Sequence, residues 1–313
     1  MKILVFGLGA LGTVYSCLLK EQGHQVSGLD REIVVKAIEQ KGVHVNGIWG
    51  EHTQRLDEIL TGINELAGKD YDLIILTVKS YETQAVARQI AQVTDPHTYI
   101  MLAQNGYGNF EAAAQFISPS RLILGRVIFG AETVELGMSK VTVIADDVVI
   151  GSPSNLIDAQ VMEDISRMFN EAGIPTRTSN EVMKLVWGKI IYNSALNPLG
   201  AILEVPYGKL AENQHTRVLM DSVIEEIFAV LKAHGQETLW GDAESYRKAF
   251  YGQMIPTTAL HHASMLQDIQ RGRKTEVEAL NGAVVKLGKQ YGVKTPVNEV
   301  IISLLQAKED IRN

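Results

Sequence analysis

The chain has 313 residues, a length that corresponds to about two domains of ordinary size. Apolar residues make up 46% and charged residues 21% of the sequence, which excludes a disordered chain, a collagen-like fibre and a coiled-coil rod. Lys and Arg total 29 against 36 Asp and Glu, so the net charge of −7 argues against a nucleic-acid binder, which needs a basic surface for phosphates.

The single cysteine, Cys17, cannot form an intrachain disulfide and fits a reducing compartment. The uncharged run Ile3–Leu19 superficially resembles a signal peptide, but it carries three glycines at motif spacing and no small-x-small cleavage site. No other uncharged stretch approaches the ~18–20 residues that a membrane span requires. We therefore expect a cytoplasmic protein with no membrane partner.

Strands and helices alternate in the first half of the chain. Short apolar runs predict five strands, which are Lys2–Gly7, Gln25–Leu29, Tyr71–Val78, Thr98–Ala103 and Val141–Ile150. The segment Glu82–Val93, between the third and the fourth of these strands, has helical spacing and predicts a helix. Continuous apolar runs are typical of parallel strands that are covered on both faces. The pattern predicts a doubly wound α/β sheet.

The second half of the chain carries only helical periodicity. The predicted helices are Glu181–Leu203, His215–His234, Ala243–Gly252, Met265–Gly272 and Thr275–Tyr291, and a short helix from Pro296 closes the chain. The irregular stretch before Glu181 predicts a boundary, so we expect a dinucleotide-binding domain over residues 1–178 and an all-helical substrate domain over residues 179–313.

A glycine-rich turn follows the first predicted strand and opens a helix: Gly7-Leu8-Gly9-Ala10-Leu11-Gly12. Glycines here allow a tight turn, close approach of the backbone to a pyrophosphate and close helix–strand packing, and the helix N-terminus favours the negative charge. A G-x-G-x-x-G match alone is weak, but this one has the strand before it and an acid after the next strand. It predicts a Rossmann-type nicotinamide dinucleotide site.

Asp30 ends the second strand, 18 residues after Gly12, where an acid usually holds the adenine ribose hydroxyls. A carboxylate at this position repels a 2′-phosphate and favours NAD(H). The adjacent Arg31 could instead pair with that phosphate, or simply be a solvated loop charge.

Polar side chains follow two of the predicted strands, at the edge where ligands bind in open α/β sheets. Lys79 and Ser80 follow the strand Tyr71–Val78, and Asn105 follows the strand Thr98–Ala103. The Asn-Gly dipeptide that begins at Asn105 is equally typical of a plain turn.

Lys189, Asn193 and Asn197 lie at i, i+4 and i+8 of a predicted helix and share one face. The positions on the opposite face of this helix are apolar, so the stripe is either a functional face or a solvent-facing one. Pro198 removes a backbone N–H and frees the carbonyl of Ser194.

Two further polar residues stand near the predicted helices at the end of the chain. Ser264 precedes one of them, and Glu276 is either functional or a first-turn acid that the helix dipole favours. His261 and His262 have no carboxylate or thiol at ligand spacing, and we expect no metal site.

These blocks together resemble the ketopantoate reductase (2-dehydropantoate 2-reductase) family over nearly the whole chain. The matching segments are GLGALG at 7–12, TVKSY at 77–81, QNGYG at 104–108, KIIYNSALNPLGAI at 189–202 and SMLQDIQRGRKTEVEALNG at 264–282. The resemblance implies a Rossmann-type N-terminal domain followed by a helical domain like the C-terminal one of 6-phosphogluconate dehydrogenase. It also implies reduction of ketopantoate to D-pantoate and, as in helical domains of this kind, a homodimer through the helical domain.

The resemblance implies a role for each matching residue. Lys189 would be the general acid, Glu276 would complete the site against cofactor and substrate, and Asn193, Asn197 and Ser264 would bind the 2-oxo acid. Lys79 and Asn105 would line the nicotinamide side, where Asn105 also contacts substrate, and Ala131 would give a backbone contact to the cofactor.

The sequence departs from the family pattern at a few positions. Tyr207 stands where some members use an Asn on the substrate, Gly200 replaces a frequent Thr, and Asp30 and Glu82 are acids near the adenosine end. The family default is NADP(H), whereas the two acids favour NAD(H). An alternative is therefore an NAD-dependent D-2-hydroxyacid dehydrogenase of the same family that acts on a branched or aromatic 2-oxo acid. A weaker alternative is a non-catalytic NAD(P) sensor.

Overall fold

The computed structural model describes residues 1–312 and divides them into two compact units. Unit 1 comprises residues 1–104 and 109–182, and unit 2 comprises residues 105–108 and the described chain from residue 183 onward. The short segment 105–108 thus joins the second unit although the chain on both sides of it belongs to the first.

Unit 1 contains two sheets and the helices that cover them. The strands are β1 (Lys2–Phe6), β2 (Gln25–Leu29), β3 (Val43–Gly47), β4 (His52–Gln54), β5 (Glu58–Leu60), β6 (Leu73–Leu76), β7 (Tyr99–Leu102), β8 (Leu122–Arg126), β9 (Phe129–Glu135), β10 (Met138–Ile144), β11 (Val148–Gly151) and β12 (Thr176–Thr178). The helices are α1 (Ala10–Glu21), α2 (Glu32–Lys41), α3 (Thr83–Val93), α4 (Asn109–Ala113) and α5 (Ala159–Glu171). Short 3₁₀ turns cover Ile63–Leu66, Ser80–Glu82 and Pro119–Arg121.

The large sheet has the strand order β12-β11-β8-β7-β6-β1-β2-β5. Neighbouring strands pair in parallel, except that β11 runs antiparallel to β8. The central strands β6 and β7 are buried except for Tyr99 at the start of β7, as their continuous apolar sequences predict. The doubly wound α/β class is confirmed.

A second, four-stranded sheet of order β4-β3-β10-β9 was not predicted. The single strand predicted over Val141–Ile150 is wrong, because the structure has β10 up to Ile144 and β11 from Val148, in different sheets. In the short break between the two strands, the carboxylate of Asp146 accepts the N–H of Asp147 at 2.9 Å. This Asp-Asp pair inside a β-branched run was the available signal.

The regular secondary structure described in unit 2 is all helical. Its helices are α6 (Val182–Leu203), α7 (Tyr207–Glu212), α8 (Gln214–His234), α9 (Ala243–Ala249), α10 (Ile255–Thr257), α11 (Ser264–Gln270), α12 (Asn281–Tyr291) and α13 (Pro296–Arg312). A π-helical turn, Phe250–Met254, lies between α9 and α10, and a 3₁₀ turn, Val277–Ala279, precedes α12.

Two of the predicted helices in this unit have wrong bounds. The helix predicted from Thr275 begins only at Asn281, because Leu280 adopts φ −107° and ψ −99° and interrupts the helical path. The helix from Pro296 is 17 residues long and not short. The carboxylate of Glu226 stabilises its start by accepting the N–H groups of Val297 and Asn298.

Each unit has its own hydrophobic core. In unit 1, Tyr15 of α1 is fully buried and packs edge-on against Phe129 and Phe169. In unit 2, Trp187 and Tyr246 are among the largest fully buried side chains. Residues 1–312 include no helix with the length and apolar character that crossing a bilayer needs.

Candidate active site

The glycine-rich turn has the geometry of a dinucleotide cradle. Gly7 has φ +97°, and a Cβ there would lie 2.9 Å from the backbone nitrogen of Val78, so only glycine fits. An added Cβ at Gly9 would meet open space. No side chain caps the N-terminus of α1 and its first turn contains no acid. The N–H groups at this helix end therefore suit a diphosphate, and the residues present fit the cofactor.

Asp30 follows the carboxyl end of β2 and is hydrogen-bonded to the glycine-rich turn. Its Oδ2 accepts the N–H of Leu8 at 2.5 Å and its Oδ1 accepts the N–H of Arg31 at 2.6 Å. The Asp30 side chain is 13% exposed, whereas that of Arg31 is 76% exposed with Nε 3.6 Å from Asp30 Oδ1. The carboxylate is thus fixed at the glycine-rich turn, while the guanidinium extends into solvent.

The other residues predicted for the cofactor lie elsewhere in unit 1. Lys79 is partly buried and precedes the 3₁₀ turn Ser80–Glu82, just beyond the end of β6. Glu82 is exposed at the start of α3. Ala131 lies in β9 of the small sheet, opposite Val141 of β10, and not at the end of a strand in the large sheet.

Lys189 and Asn105 meet in unit 2 although they lie 84 residues apart in the chain. The Lys189 ammonium donates to Asn105 Oδ1 at 2.6 Å, and both side chains are partly buried. A partly buried ammonium is less screened by solvent than an exposed one, so it interacts more strongly with a nearby negative charge than it does in water.

Asn193 and Asn197 follow Lys189 along the same face of α6, and both are buried. The solvent-facing alternative for this stripe therefore fails at its two asparagines. The carbonyl of Ser194, which Pro198 leaves without its helical partner, accepts a hydrogen bond from Asn281 Nδ2 at 3.1 Å.

Tyr207 contacts the last residue of the stripe. Its hydroxyl donates to Asn197 Oδ1 at 2.5 Å, and its ring packs edge-on against Tyr192 and His261. Burial raises the pKa of the Tyr207 phenol well above its ordinary value, so the hydroxyl stays protonated and remains a donor. The hydrogen bond leaves Nδ2 as the polar end of Asn197 for a ligand.

Ser264 and Glu276 lie on either side of the exposed basic segment Arg271–Lys274. Ser264 is exposed and is the first residue of α11. Glu276 is partly buried, and its backbone carbonyl accepts the N–H of Ala279 at 3.0 Å in the following 3₁₀ turn. Glu276 is therefore not in the first turn of a long helix, as one alternative proposed.

The backbone near Glu276 also meets the segment that carries Asn105. The N–H of Tyr107 donates to the carbonyl of Ala279 at 2.8 Å. Lys189, Asn105 and the turn that follows Glu276 are thus connected within unit 2. The described part of the chain contains no cluster of three His, Cys, Asp or Glu side chains that could hold a metal ion.

Sequence reasoning missed the residues that support this arrangement. Tyr107 stacks on Trp187, with ring centroids 4.8 Å apart, and its hydroxyl shares a hydrogen bond with His234. Tyr107 and Trp187 each stand two positions from a predicted site residue, but no local pattern indicates that they touch.

Comparisons with known proteins agree over both halves of the chain. Residues 3–155 match the family model of ketopantoate reductase PanE/ApbA, and residues 181–309 match the model of its C-terminal part. The chain is 47% identical to the 2-dehydropantoate 2-reductase of Aquifex aeolicus, with 99% of this chain and 97% of that protein covered. It is 30% identical to the one of Archaeoglobus fulgidus, with 98% of each covered.

Two solved structures superpose on the whole length of the chain. A PanE/ApbA family ketopantoate reductase from Ralstonia eutropha superposes with a TM-score of 0.88 at 27% identity, covering 100% of this chain and 99% of that one. A D-mandelate dehydrogenase in complex with NADH and anilino(oxo)acetate superposes with a TM-score of 0.89 at 26% identity, covering 100% of both chains.

Proposed function

The chain belongs to the ketopantoate reductase family, and we propose that it reduces 2-dehydropantoate to D-pantoate with Lys189 as the proton donor. It is an oxidoreductase of the class that acts on a CH–OH group with NAD(P) as the acceptor. The observation that carries the assignment of Lys189 is its ammonium, held 2.6 Å from Asn105 Oδ1 on the same helix face as two buried asparagines.

The residues of this face suit carbonyl reduction. The reduced nicotinamide, when bound, supplies the hydride that adds to C2 of the 2-oxo acid. Negative charge then grows on the carbonyl oxygen, where an ammonium stabilises it and afterwards gives it a proton. The Lys189 ammonium supplies both functions, and Asn105 orients it.

We assign the remaining roles as follows. Asn193 and Asn197 bind the substrate without adding charge, Ser264 binds its carboxylate end, and Glu276 contacts both substrate and cofactor. The N-terminal unit binds the dinucleotide through the glycine-rich turn, Asp30, Lys79 and the backbone of Ala131, and Asn105 contacts the nicotinamide as well as the substrate.

We further propose that the cofactor is NADH. The support is Asp30, whose carboxylate is fixed at the glycine-rich turn, while Arg31 extends into solvent. A fixed carboxylate accepts hydrogen bonds from ribose hydroxyls and repels a 2′-phosphate.

A second candidate is an NAD-dependent D-2-hydroxyacid dehydrogenase acting on an aromatic 2-oxo acid. Asp30 favours it equally, and the similarity to the NADH-bound D-mandelate dehydrogenase is consistent with it. Steady-state rates separate the two candidates. We expect kcat/KM for 2-dehydropantoate to exceed that for phenylglyoxylate, and the opposite order would favour the second candidate.

We also propose that the protein is a cytoplasmic homodimer formed through its helical unit. Val300, Leu304 and Ile311 share one face of α13 and are all exposed, an apolar stripe of the kind that a partner subunit covers. The one thiol, Cys17, is buried and unpaired, which suits a reducing compartment. Light scattering of the purified protein tests the dimer, and a monomer would contradict it. Fractionation of cells tests the cytoplasmic location, and a secreted protein would contradict it.

A further inference from the structure

The segment Asn105–Gly108 is built into unit 2 by its backbone. Gly106 has φ +90°, and a Cβ there would collide with the carbonyl oxygen and the Cβ of Ala279. The next residue, Tyr107, donates its N–H to the same carbonyl at 2.8 Å. The segment therefore lies directly on the 3₁₀ turn Val277–Ala279.

The side chain of Tyr107 adds contacts with two helices. Its ring stacks on the fully buried Trp187 of α6, with centroids 4.8 Å apart and planes 28° from parallel. Its hydroxyl is hydrogen-bonded to His234 Nε2 at 3.3 Å, at the end of α8. His234 in turn stacks on Tyr291, with centroids 4.8 Å apart.

Two contacts join this segment to α6, and the residues that make them are neighbours in sequence both in the segment and in the helix. Trp187 stands two residues before Lys189, and Tyr107 stands two residues after Asn105. The aromatic stack and the Lys189–Asn105 hydrogen bond thus join the same two stretches of chain.

We propose that Tyr107 is a positioning residue, which holds Asn105 Oδ1 against the ammonium of Lys189 through its stack on Trp187. This inference rests on the proposed function, in which Lys189 donates the proton. Tyr107 itself touches no reacting atom in this account. Its effect passes entirely through Asn105, which makes the inference testable by a double-mutant cycle.

The cycle compares Tyr107→Ala, Asn105→Ala and the double variant in the reduction of 2-dehydropantoate. Misplacing a catalytic group by about 1 Å can cost about 100-fold, so we expect Tyr107→Ala to lower kcat by about 10- to 100-fold. The KM for 2-dehydropantoate should change much less than kcat. The double variant should be no slower than the slower of the two single variants, because the stack acts only through Asn105.

Tyr291→Ala is the matched control, since it removes the other stacking partner of His234 without touching the segment. We expect it to retain wild-type kcat. Tyr107→Phe keeps the ring and its stack on Trp187, so we expect it to retain most of the wild-type kcat. Tyr107→Leu fills much of the same space without a ring, so it remains informative if Tyr107→Ala does not fold, and we expect it to lower kcat by about 10- to 100-fold as well.

A second readout is independent of turnover. The rate at which a lysine reagent acylates Lys189 can be measured by peptide mass spectrometry. Only the neutral amine reacts with the reagent, and the Asn105 acceptor stabilises the charged ammonium. Loss of that acceptor should therefore raise the rate of acylation. We expect Asn105→Ala to raise the labelling rate about three- to tenfold, the order of one hydrogen bond, and Tyr107→Ala to reproduce the increase.

The outcomes separate this inference from the proposed function. A Tyr107→Ala variant with wild-type kcat and a wild-type labelling rate at Lys189 would overturn the positioning role, as would a double variant whose loss equals the product of the single losses. If the wild-type enzyme does not reduce 2-dehydropantoate, the proposed function fails, and the labelling rates alone still decide whether Tyr107 holds Asn105 on Lys189.

Discussion

The hydroxyl of Tyr207 determines which end of the Asn197 carboxamide is left for a ligand. It donates to Oδ1 and so turns the two Nδ2 hydrogens of Asn197 toward a ligand as donors. A 2-oxo acid is an anion rich in acceptor oxygens, and a fixed donor suits it. Under the proposed function, the tyrosine that departs from the family pattern orients an amide that binds substrate.

We predict that Tyr207→Phe raises the KM for 2-dehydropantoate about two- to tenfold, the order of one lost hydrogen bond, because the amide of Asn197 is no longer held in one orientation. Steady-state kinetics measure this effect, and kcat should change little. Tyr192→Phe is the matched control, since the Tyr192 hydroxyl bonds Thr258 instead. Equal KM values for the two variants would contradict the assignment.

At Asp30, we predict that Asp30→Ala raises the kcat/KM for NADPH relative to that for NADH. Removing the carboxylate at the glycine-rich turn removes the repulsion of a 2′-phosphate. The comparison variant is Arg31→Ala, which should leave the ratio unchanged because the Arg31 side chain extends into solvent. A change with Arg31→Ala and none with Asp30→Ala would assign the choice of cofactor to the arginine.

Among single residues, the sequence located the polar stripe but not its partners. Lys189, Asn193 and Asn197 could be placed on one face because helical spacing is local. No local pattern indicates their contacts with Asn105 and Tyr207, because these are tertiary contacts between separate segments of the chain. The same holds for the hydrogen bond from Asn281 to the Ser194 carbonyl.

On the scale of an element, α6 continues through Pro198 because another helix supplies the missing hydrogen bond. Asn281 of α12 is fully buried and donates both to the Ser194 carbonyl at 3.1 Å and to Asn298 Oδ1 at 2.9 Å. One amide group thus joins α6, α12 and α13.

We therefore predict that Asn281→Ala lowers the free energy of unfolding by about 1–3 kcal/mol, since it leaves buried acceptors without a donor. Chemical denaturation followed by circular dichroism measures the change. Lys286→Ala, on the exposed side of the same helix, should cost less than about 0.5 kcal/mol. If the two variants are equally stable, the Asn281 network contributes nothing to the helix junction.

The segments around Asp146 and Leu280 show where element prediction failed. The run Val141–Ile150 is rich in β-branched residues, yet its two ends belong to different sheets because β10 pairs with the distant β3. The run Thr275–Tyr291 has helical periodicity, yet Leu280 leaves the helical region where the 3₁₀ turn meets the segment that carries Tyr107. In both cases a tertiary contact overrides a local preference.

At the scale of the whole molecule, the alternation of strands and helices was enough to predict an α/β unit followed by a helical one. Hydrophobic periodicity carries that information directly. The small sheet was missed because its strands come from residues 43–54 and 129–144, a pairing that no local pattern indicates. The position of segment 105–108 in unit 2 was missed for the same reason.

The most direct test of the account is the initial rate of reduced-nicotinamide oxidation with 2-dehydropantoate, measured side by side for the wild-type enzyme and Lys189→Ala. We predict rapid turnover by the wild-type enzyme and a loss of about 10²- to 10⁴-fold in the variant, the usual scale for a missing general acid. Cofactor binding, followed by nicotinamide fluorescence, should be unchanged in the variant. A loss below about tenfold would remove Lys189 from the acid role and contradict the account.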